Sequence, residues 1–170
     1  MGVDMNYYTY YNSILGMLTI VSDGVNLTGL YFEGQFDVKD CVRNDELKIF
    51  EAVGHWLDAY FKGESVSADT IPIKLLGTDF RLKVWNELLK IPYGEVTTYG
   101  VIAKKVGGDK MSARAVGGAV GHNPISIIVP CHRVIGAGGK LTGYSGGMDK
   151  KIKLLQIEGI DTNKLNAQDK

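Results

Sequence analysis

The strongest chemical signal in the chain is the tetrapeptide Pro-Cys-His-Arg at residues 130–133. It follows an apolar run, residues 125–129, which predicts a buried strand, and it precedes a glycine-rich turn at residues 136–139. A thiol beside an imidazole and a guanidinium lies where its thiolate is favoured, and the thiolate is the reactive nucleophile. The alternative is an inert buried cysteine at a strand end. The surrounding elements decide between the two.

The first half of the chain predicts a small antiparallel sheet followed by a helix. Apolar residues recur at helical spacing from Asn44 onwards, and Gly63 fits the position of a C-cap. We place a domain boundary so that residues 1–76 form an N-terminal α/β subdomain and residues 77–170 form a second domain. Three short β-branched and aromatic runs predict the strands, at residues 7–11, 17–22 and 27–32.

The second half predicts helices separated by glycine turns, which makes the fold class α+β. Thr78 and Asp79 fit the cap of a helix that runs to Lys90. Two further helices, residues 97–106 and 112–121, are joined by a glycine turn and match a helix-turn-helix. An ordinary helical hairpin has the same local pattern. The tail at residues 161–170 is polar and is expected to be frayed.

Charge is divided unevenly along the chain, although the formal net charge is +0. Residues 1–79 carry 5 Lys and Arg against 12 Asp and Glu, whereas residues 80–170 carry 14 against 7. The split indicates that the basic half faces a polyanion, or that the two halves neutralise each other. Residues 101–135 hold five basic side chains and one acidic one, which favours the polyanion.

Composition excludes several other classes of protein. No apolar run reaches the length of a membrane span, and no signal peptide is visible, so no membrane partner is expected. Cys41 and Cys131 are the only cysteines, which predicts a reducing cytoplasm rather than a disulfide framework. Cys41 and His55 lack metal-ligand spacing, so we predict no metal.

An ordered set of motifs between Phe80 and Glu158 identifies the family. The motifs are Val84-Trp85, Ile-Pro-Tyr-Gly-Glu-Val at 91–96, Tyr99, Ala-Arg-Ala-Val-Gly-Gly-Ala at 113–119, Asn123-Pro124, residues 128–134 around Pro-Cys-His-Arg, and Leu-Thr-Gly-Tyr-Ser-Gly-Gly at 141–147. In their order and spacing the chain resembles the O6-alkylguanine-DNA alkyltransferases, also called methylated-DNA–protein-cysteine methyltransferases.

The resemblance implies a DNA-repair reaction without a cofactor. The protein would flip O6-alkylguanine out of duplex DNA and transfer the alkyl group to Cys131, which then carries a stable thioether. Each molecule would therefore react once. The expected partner is double-stranded DNA containing O6-alkylguanine, with no obligate protein partner and with the protein as a monomer.

The resemblance also implies the proton path. His132 would deprotonate Cys131 through a water, and Glu158 would orient the imidazole. Neighbouring side chains on an extended strand point to opposite faces. Cys131 and His132 can therefore communicate only if the chain turns or a water intervenes, and Pro130 fits a turn.

The remaining roles implied by the resemblance concern the base and the duplex. Tyr99 would donate to guanine N3, and the backbone of Ser145, beside Gly146, would donate to O6. The carbonyls of Cys131 and Val134 would accept from the exocyclic amine, Tyr144 would wall the alkyl pocket, and Asn123 would brace the turn before the nucleophile. Arg114 would fill the space of the flipped base, on a minor-groove helix that includes Ser112, Ala113, Ala115 and Gly117.

Three other functions are alternatives to alkyl transfer. A non-catalytic lesion sensor of the same fold would lack the cysteine, which this chain has at Cys131. A Cys-His hydrolase would normally have its base far from the nucleophile in sequence and would turn over. A helix-turn-helix binding module would form no covalent product.

Overall fold

The structure is a computed structural model that describes residues 4–167. The chain divides into two compact units. The first extends to Leu76 and includes Pro124–Ser126, whereas the second comprises Gly77–Asn123 and continues from Ile127. No helix among the described residues is long and apolar enough to cross a lipid bilayer.

The sheet of the first unit has four strands in the order β3-β2-β1-β4. The strands β1, β2 and β3 pair in antiparallel fashion, as predicted, and the two-residue strand β4 pairs parallel with β1. The sheet is therefore mixed rather than purely antiparallel. The strands are β1 (Tyr7–Ser13), β2 (Gly16–Ser22), β3 (Leu27–Phe32) and β4 (Val42–Arg43).

One helix, α1 (Lys48–Phe61), completes the core of the first unit. Its apolar face is buried, as the helical spacing predicted, and includes Trp56 and Tyr60. The chain leaves the helix at Gly63, whose φ of 86° is readily adopted only by glycine.

The second unit contains the helix-turn-helix. Its helices are α2 (Asp79–Leu88), α3 (Tyr99–Gly107), α4 (Ala113–Gly121) and α5 (Met148–Ile157). The side-chain oxygens of Thr78, Thr98 and Ser112 accept hydrogen bonds of 3.1–3.2 Å from backbone N–H groups in the first turns of α2, α3 and α4, respectively. Each cap satisfies a donor at the start of its helix. The caps predicted at Thr78 and Ser112 are present, whereas the helix expected from residue 97 begins only at Tyr99, after its cap Thr98.

Short parallel pairs connect the loops of the second unit. Strand β5 (Thr97–Thr98) pairs with β6 (Val134–Ile135), and β7 (Lys140–Leu141) pairs with β8 (Asn166–Ala167). The prediction of a frayed tail is therefore wrong for residues 161–167, which form a 3-10 turn and strand β8. Residues 168–170 of that predicted tail lie outside the described residues.

The prediction of a strand at residues 125–129 is also wrong. Ile125 makes a single bridge to Leu30, and the chain then turns through Ile127, whose φ is 72°. All five residues are buried, so their apolar character reflects burial rather than extended backbone. The turn continues into a 3-10 helix, Cys131–Arg133, which begins at the cysteine.

Candidate active site

A cavity of about 330 Å³ lies beside Cys131 within the second unit. Helix α3, helix α4 and the loop before α5 supply the rest of its lining. A wider groove of about 690 Å³ lies in the first unit and has no cysteine among its lining residues, so we assign the site to the smaller cavity. The lining residues are Tyr99, Gly117, Val120, Gly121, Cys131, Gly143, Tyr144 and Ser145.

The sequence predicted five of these eight residues, namely Tyr99, Gly117, Cys131, Tyr144 and Ser145. It did not predict Val120, Gly121 or Gly143, because a glycine or valine in a wall carries no chemical signal of its own. Gly146 is half-buried and Val134 is buried, but neither contributes to the lining.

The environment of Cys131 disfavours the thiolate that its neighbours in sequence were expected to favour. The residue is 3% exposed, and burial raises the pKa of its thiol. Hydrogen bonds with Asn123 and Tyr144, together with the charge of Lys151, lower the pKa but do not offset the burial. The adjacent Arg133 is not the cation that acts on the sulfur, because it is bound elsewhere.

Glu158 joins His132 and Arg133 in a buried network. The Nε2 atom of His132 lies 2.5 Å from Oε2 of Glu158, and Nε of Arg133 donates to Oε1 at 2.7 Å. The backbone N–H of Gly94 also donates to Oε1, at 3.0 Å. Arg133 is held further by the carbonyl of Ile91, at 2.7 Å.

The network keeps Glu158 charged and His132 neutral. Burial alone would raise the pKa of Glu158, but the hydrogen bonds and charges of His132 and Arg133 lower it to about 2. Burial lowers the pKa of His132 and outweighs the opposing effect of Glu158. A carboxylate only accepts hydrogen bonds, so Nε2 of His132 carries the ring proton and Nδ1 carries the lone pair.

Asn123 connects helix α4 to the nucleophile. Its Nδ2 donates to the carbonyl of Val129 at 2.9 Å, and its side chain also bonds with the thiol of Cys131. The asparagine is 9% exposed. It therefore fixes the turn that leads into the 3-10 helix of the cysteine.

Lys151 is a component of the site that the sequence did not indicate. Its side chain is fully buried, and Nζ donates to the carbonyls of Val134 at 2.8 Å and Thr142 at 3.1 Å. The amine also lies 6.0 Å from the ring centroid of Tyr99. Burial lowers the pKa of Lys151 to about 8. On sequence alone this residue is one of several lysines in an amphipathic helix.

Tyr99 and the start of α4 face different environments. Burial raises the pKa of Tyr99, which is the first residue of α3. Arg114 is exposed, and so are Ser112, Ala113 and Ala115, while Gly117 one turn later reaches the cavity. The first turn of α4 is thus an open surface, and the rest of the helix forms the pocket wall.

No cluster of three or more His, Cys, Asp or Glu side chains within residues 4–167 is arranged to hold a metal ion. Cys41, the other cysteine, is partly exposed and lies in the first unit. Fold and cavity together define a helix-turn-helix protein with a buried cysteine in the wall of its cavity.

Comparisons with known proteins identify the family. The model described as "6-O-methylguanine DNA methyltransferase, ribonuclease-like domain" matches residues 6–75. The model described as "6-O-methylguanine DNA methyltransferase, DNA binding domain" matches residues 79–160. The chain belongs to the O6-methylguanine-DNA methyltransferase family, as the sequence motifs predicted.

Individual relatives support this membership over nearly the whole chain. The chain is 46% identical to a methylated-DNA–protein-cysteine methyltransferase of Haemophilus influenzae, covering 91% of this chain and 87% of that protein. A Methanosarcina acetivorans protein of the same description is 47% identical, covering 90% and 98%. The crystal structure of Mycobacterium tuberculosis OGT in complex with DNA superposes with a TM-score of 0.83 at 44% identity, covering 94% and 95%.

The predicted activity is therefore confirmed. The chain is a DNA-binding methylated-DNA–protein-cysteine methyltransferase, and it acts in DNA repair.

Proposed function

We propose that Cys131 is the alkyl acceptor and that each molecule reacts once with an O6-alkylguanine flipped from duplex DNA. The observation that carries this proposal is the buried thiol in the wall of a cavity beside the helix-turn-helix. A cavity of about 330 Å³ is at the small end of the range for ligand sites and is large enough for one base with its substituent.

His132 is the base that activates the thiol, through a water. The 3-10 turn at Cys131–Arg133 supports this role, because neighbouring residues in a turn are not held on opposite faces. Nδ1 accepts the thiol proton, and Glu158 then stabilises the imidazolium through Nε2. A neutral thiol and a neutral imidazole thus become a charged pair only when a substrate is present.

The transfer is a single displacement. The Sγ lone pair of Cys131 forms a bond to the alkyl carbon while the carbon–O6 bond breaks, and that electron pair stays on the guanine. Negative charge develops on the base, and the Tyr99 hydroxyl donates to N3 to stabilise it. The thioether has no second nucleophile to release it, so the protein is consumed.

Guanine recognition involves the backbone of the 3-10 turn at Cys131, of the first residue of β6 and of the loop before α5. The N–H of Ser145, in a loop that Gly146 keeps flexible, donates to O6, and the carbonyls of Cys131 and Val134 accept from the exocyclic amine. The Val134 carbonyl already accepts from Lys151, but an oxygen with two lone pairs accepts a second donor. Tyr144 forms a wall of the pocket for the alkyl group, and Asn123 stabilises the turn that leads to Cys131.

Helix α4 enters the minor groove, and Arg114 occupies the space of the flipped base. The exposed first turn, Ser112 to Ala115, supports this orientation, since its small side chains allow close approach to the duplex. Residues 77–170 thus carry DNA binding and alkyl transfer, while residues 1–76 are structural. We further propose a cytoplasmic monomer without a cofactor, in keeping with two cysteines that are both free.

Mass spectrometry tests the assignment of the acceptor. After incubation with duplex DNA containing O6-methylguanine, the peptide with Cys131 should gain one methyl group, and repair should stop at one equivalent. Cys131→Ala should bind the DNA and acquire no methyl group. Repeated turnover would support a hydrolase instead, and repair by Cys131→Ala would rule out this acceptor.

A second variant tests the role of the exposed arginine. Arg114→Ala should react much more slowly with duplex DNA because the vacated stack is unsupported, while free O6-benzylguanine should alkylate its thiol at the wild-type rate. Both rates are measured by quenching the reactions at a series of times and quantifying the alkylated protein. Wild-type repair of the duplex by this variant would refute the role of Arg114.

A further inference from the structure

The motif Val84-Trp85 belongs to the family pattern, although neither residue lines the cavity. Trp85 lies on α2, is 2% exposed, and donates its Nε1–H to the carbonyl of Ala119 at 2.8 Å. Ala119 lies in the last turn of α4, 34 residues further along the chain. The indole therefore joins α2 to the end of the recognition helix.

At the end of α4 the Ala119 carbonyl accepts two hydrogen bonds, one from the backbone that follows it and one from the indole of Trp85. In a regular helix the Ala119 carbonyl would accept from the N–H of Asn123. Here the N–H of Asn123 donates to Val120 at 3.2 Å, and the N–H of His122 donates to Ala119 at 3.1 Å. The last turn is tightened to the 3-10 pattern, which turns the chain sharply towards Asn123.

The residues that this turn positions belong to the site. Val120 and Gly121 follow Ala119 directly and line the cavity. Asn123 follows two residues later and bonds with both the thiol of Cys131 and the carbonyl of Val129. The indole hydrogen bond of Trp85 is therefore made to the turn that positions Val120 and Gly121 in the cavity wall and Asn123 beside Cys131.

We propose that Trp85 is a positioning residue for alkyl transfer, acting through the last turn of α4 on Asn123 and on the cavity wall. The inference rests on the proposed function of Cys131. It requires that the indole N–H, and not merely the bulk of the ring, sets the reactivity of the thiol.

The chain offers a matched control in its other tryptophan. Trp56 on α1 is 6% exposed, and its Nε1–H donates to the carbonyl of Ser67 at 2.9 Å. Each indole donates to a backbone carbonyl, although the bond of Trp56 is only partly buried. Trp56 lies in the first unit, which supplies none of the lining residues of the cavity. Replacement by phenylalanine removes the same atoms at both positions.

The experiment compares Trp85→Phe with Trp56→Phe in the full chain. Both variants should lose a similar amount of thermal stability. At saturating duplex DNA containing O6-methylguanine, Trp85→Phe should react about fivefold to tenfold more slowly, as expected for one lost hydrogen bond, while its affinity for undamaged duplex changes less than twofold. Trp56→Phe should react at the wild-type rate.

The pH profile of the thiol separates positioning from a general structural role. If Trp85 holds Asn123 against Cys131, Trp85→Phe should shift the pH dependence of thiol alkylation by iodoacetamide to higher pH, and Trp56→Phe should not. Identical rates and identical profiles in the two variants would overturn the proposal. Wild-type protein methylated at a residue other than Cys131 would instead overturn the proposed function.

A second substitution keeps the test informative if Trp85→Phe fails to fold. A Cβ added at Gly77 would lie 2.7 Å from the Trp85 ring, so Gly77→Ala must displace the indole without removing it. We expect a twofold to threefold slower transfer and the same direction of shift in the thiol profile. A wild-type rate together with an unshifted profile in Gly77→Ala would contradict the inference.

Discussion

The two compact units treat their charged side chains in opposite ways. In the first unit the Arg43–Asp45 ion pair, at 3.0 Å, lies at the surface, with side chains 53% and 57% exposed. The buried polar residues described there are hydroxyl residues such as Thr9 and Ser22. In the second unit, by contrast, His132, Arg133, Lys151 and Glu158 are all at most 6% exposed.

This difference shows which unit carries the free-energy cost of burying charged side chains. A buried charge loses its hydration, and its partners seldom recover the whole of that free energy. The first unit avoids the cost, as expected of an ordinary core. The second unit accepts it around Cys131, where the proposed function needs groups that take the proton of a neutral thiol and stabilise the resulting thiolate.

Breaking the buried network should give the largest effect on stability. Glu158→Gln removes the charge that pairs with Arg133 and leaves a guanidinium buried without compensation. We expect the free energy of unfolding to fall by about 3–5 kcal/mol, measured by urea denaturation at pH 7. A loss below about 1 kcal/mol would mean that this buried ion pair contributes no more to stability than an exposed pair does.

Acid should affect the wild-type protein through the same carboxylate. Glu158 has a folded-state pKa of about 2 against an ordinary value of 4.5, so the folded state holds fewer protons than the unfolded state between these values. Its stabilising contribution is complete above about pH 4.5 and is lost as the pH falls towards 2. Denaturation at pH 7 and pH 3 should therefore differ more for wild type than for Glu158→Gln.

Replacing Lys151 should separate stability from reactivity. Lys151→Met removes a buried cation while keeping its length, so stability at pH 7 should be unchanged or higher. The thiol of Cys131 loses the positive charge that lowers its pKa, and alkyl transfer should slow about tenfold. Single-turnover rates with duplex O6-methylguanine DNA measure this loss.

The lysine also predicts a stability change in alkaline solution. Its folded pKa of about 8 lies below the ordinary 10.5, so the unfolded state binds the extra proton between these values. Wild-type stability should therefore gain from this group as the pH rises from 8 towards 10.5, and Lys151→Met should lack that gain. A similar alkaline profile for both proteins would assign the buried amine a normal pKa.

The smallest effect should come from the exposed ion pair of the first unit. Asp45→Asn breaks the contact with Arg43 in full solvent, where such a pair contributes about 0.2–1 kcal/mol. Urea denaturation should detect at most this loss, and alkyl transfer should be unchanged. A loss comparable to that of Glu158→Gln would remove the contrast between the two units.

Much of the fold could be predicted because its signals are local. Alternating and β-branched residues predicted the three antiparallel strands, and Thr78 and Ser112 lie within one turn of the N–H groups that they cap. The parallel strand β4 has only two residues, so no periodicity could indicate it. The apolar residues 125–129 were mistaken for a strand because burial alone cannot distinguish a strand from a buried turn.

The candidate site was predicted in part of its residues, without Val120, Gly121, Gly143 and Lys151, and its electrostatics were not predicted. Cys131, His132, Tyr99, Tyr144 and Ser145 were all identified from motifs with fixed order and spacing. The protonation state of Cys131 depends instead on how completely the fold excludes water from it. No property of the tetrapeptide alone gives that quantity.

The sequence by itself determined the family and the helix-turn-helix, and it pointed to Cys131 as the nucleophile that we propose, because motifs, caps and periodicities are local properties of the chain. Only the tertiary structure decided that burial raises the pKa of the thiol, that Arg133 is bound to Glu158, and that Lys151 is the cation acting on the sulfur. Burial and electrostatic interaction depend on distances in space between residues that the sequence separates. The same holds for Trp85, whose partner Ala119 comes within hydrogen-bonding distance only in the folded chain.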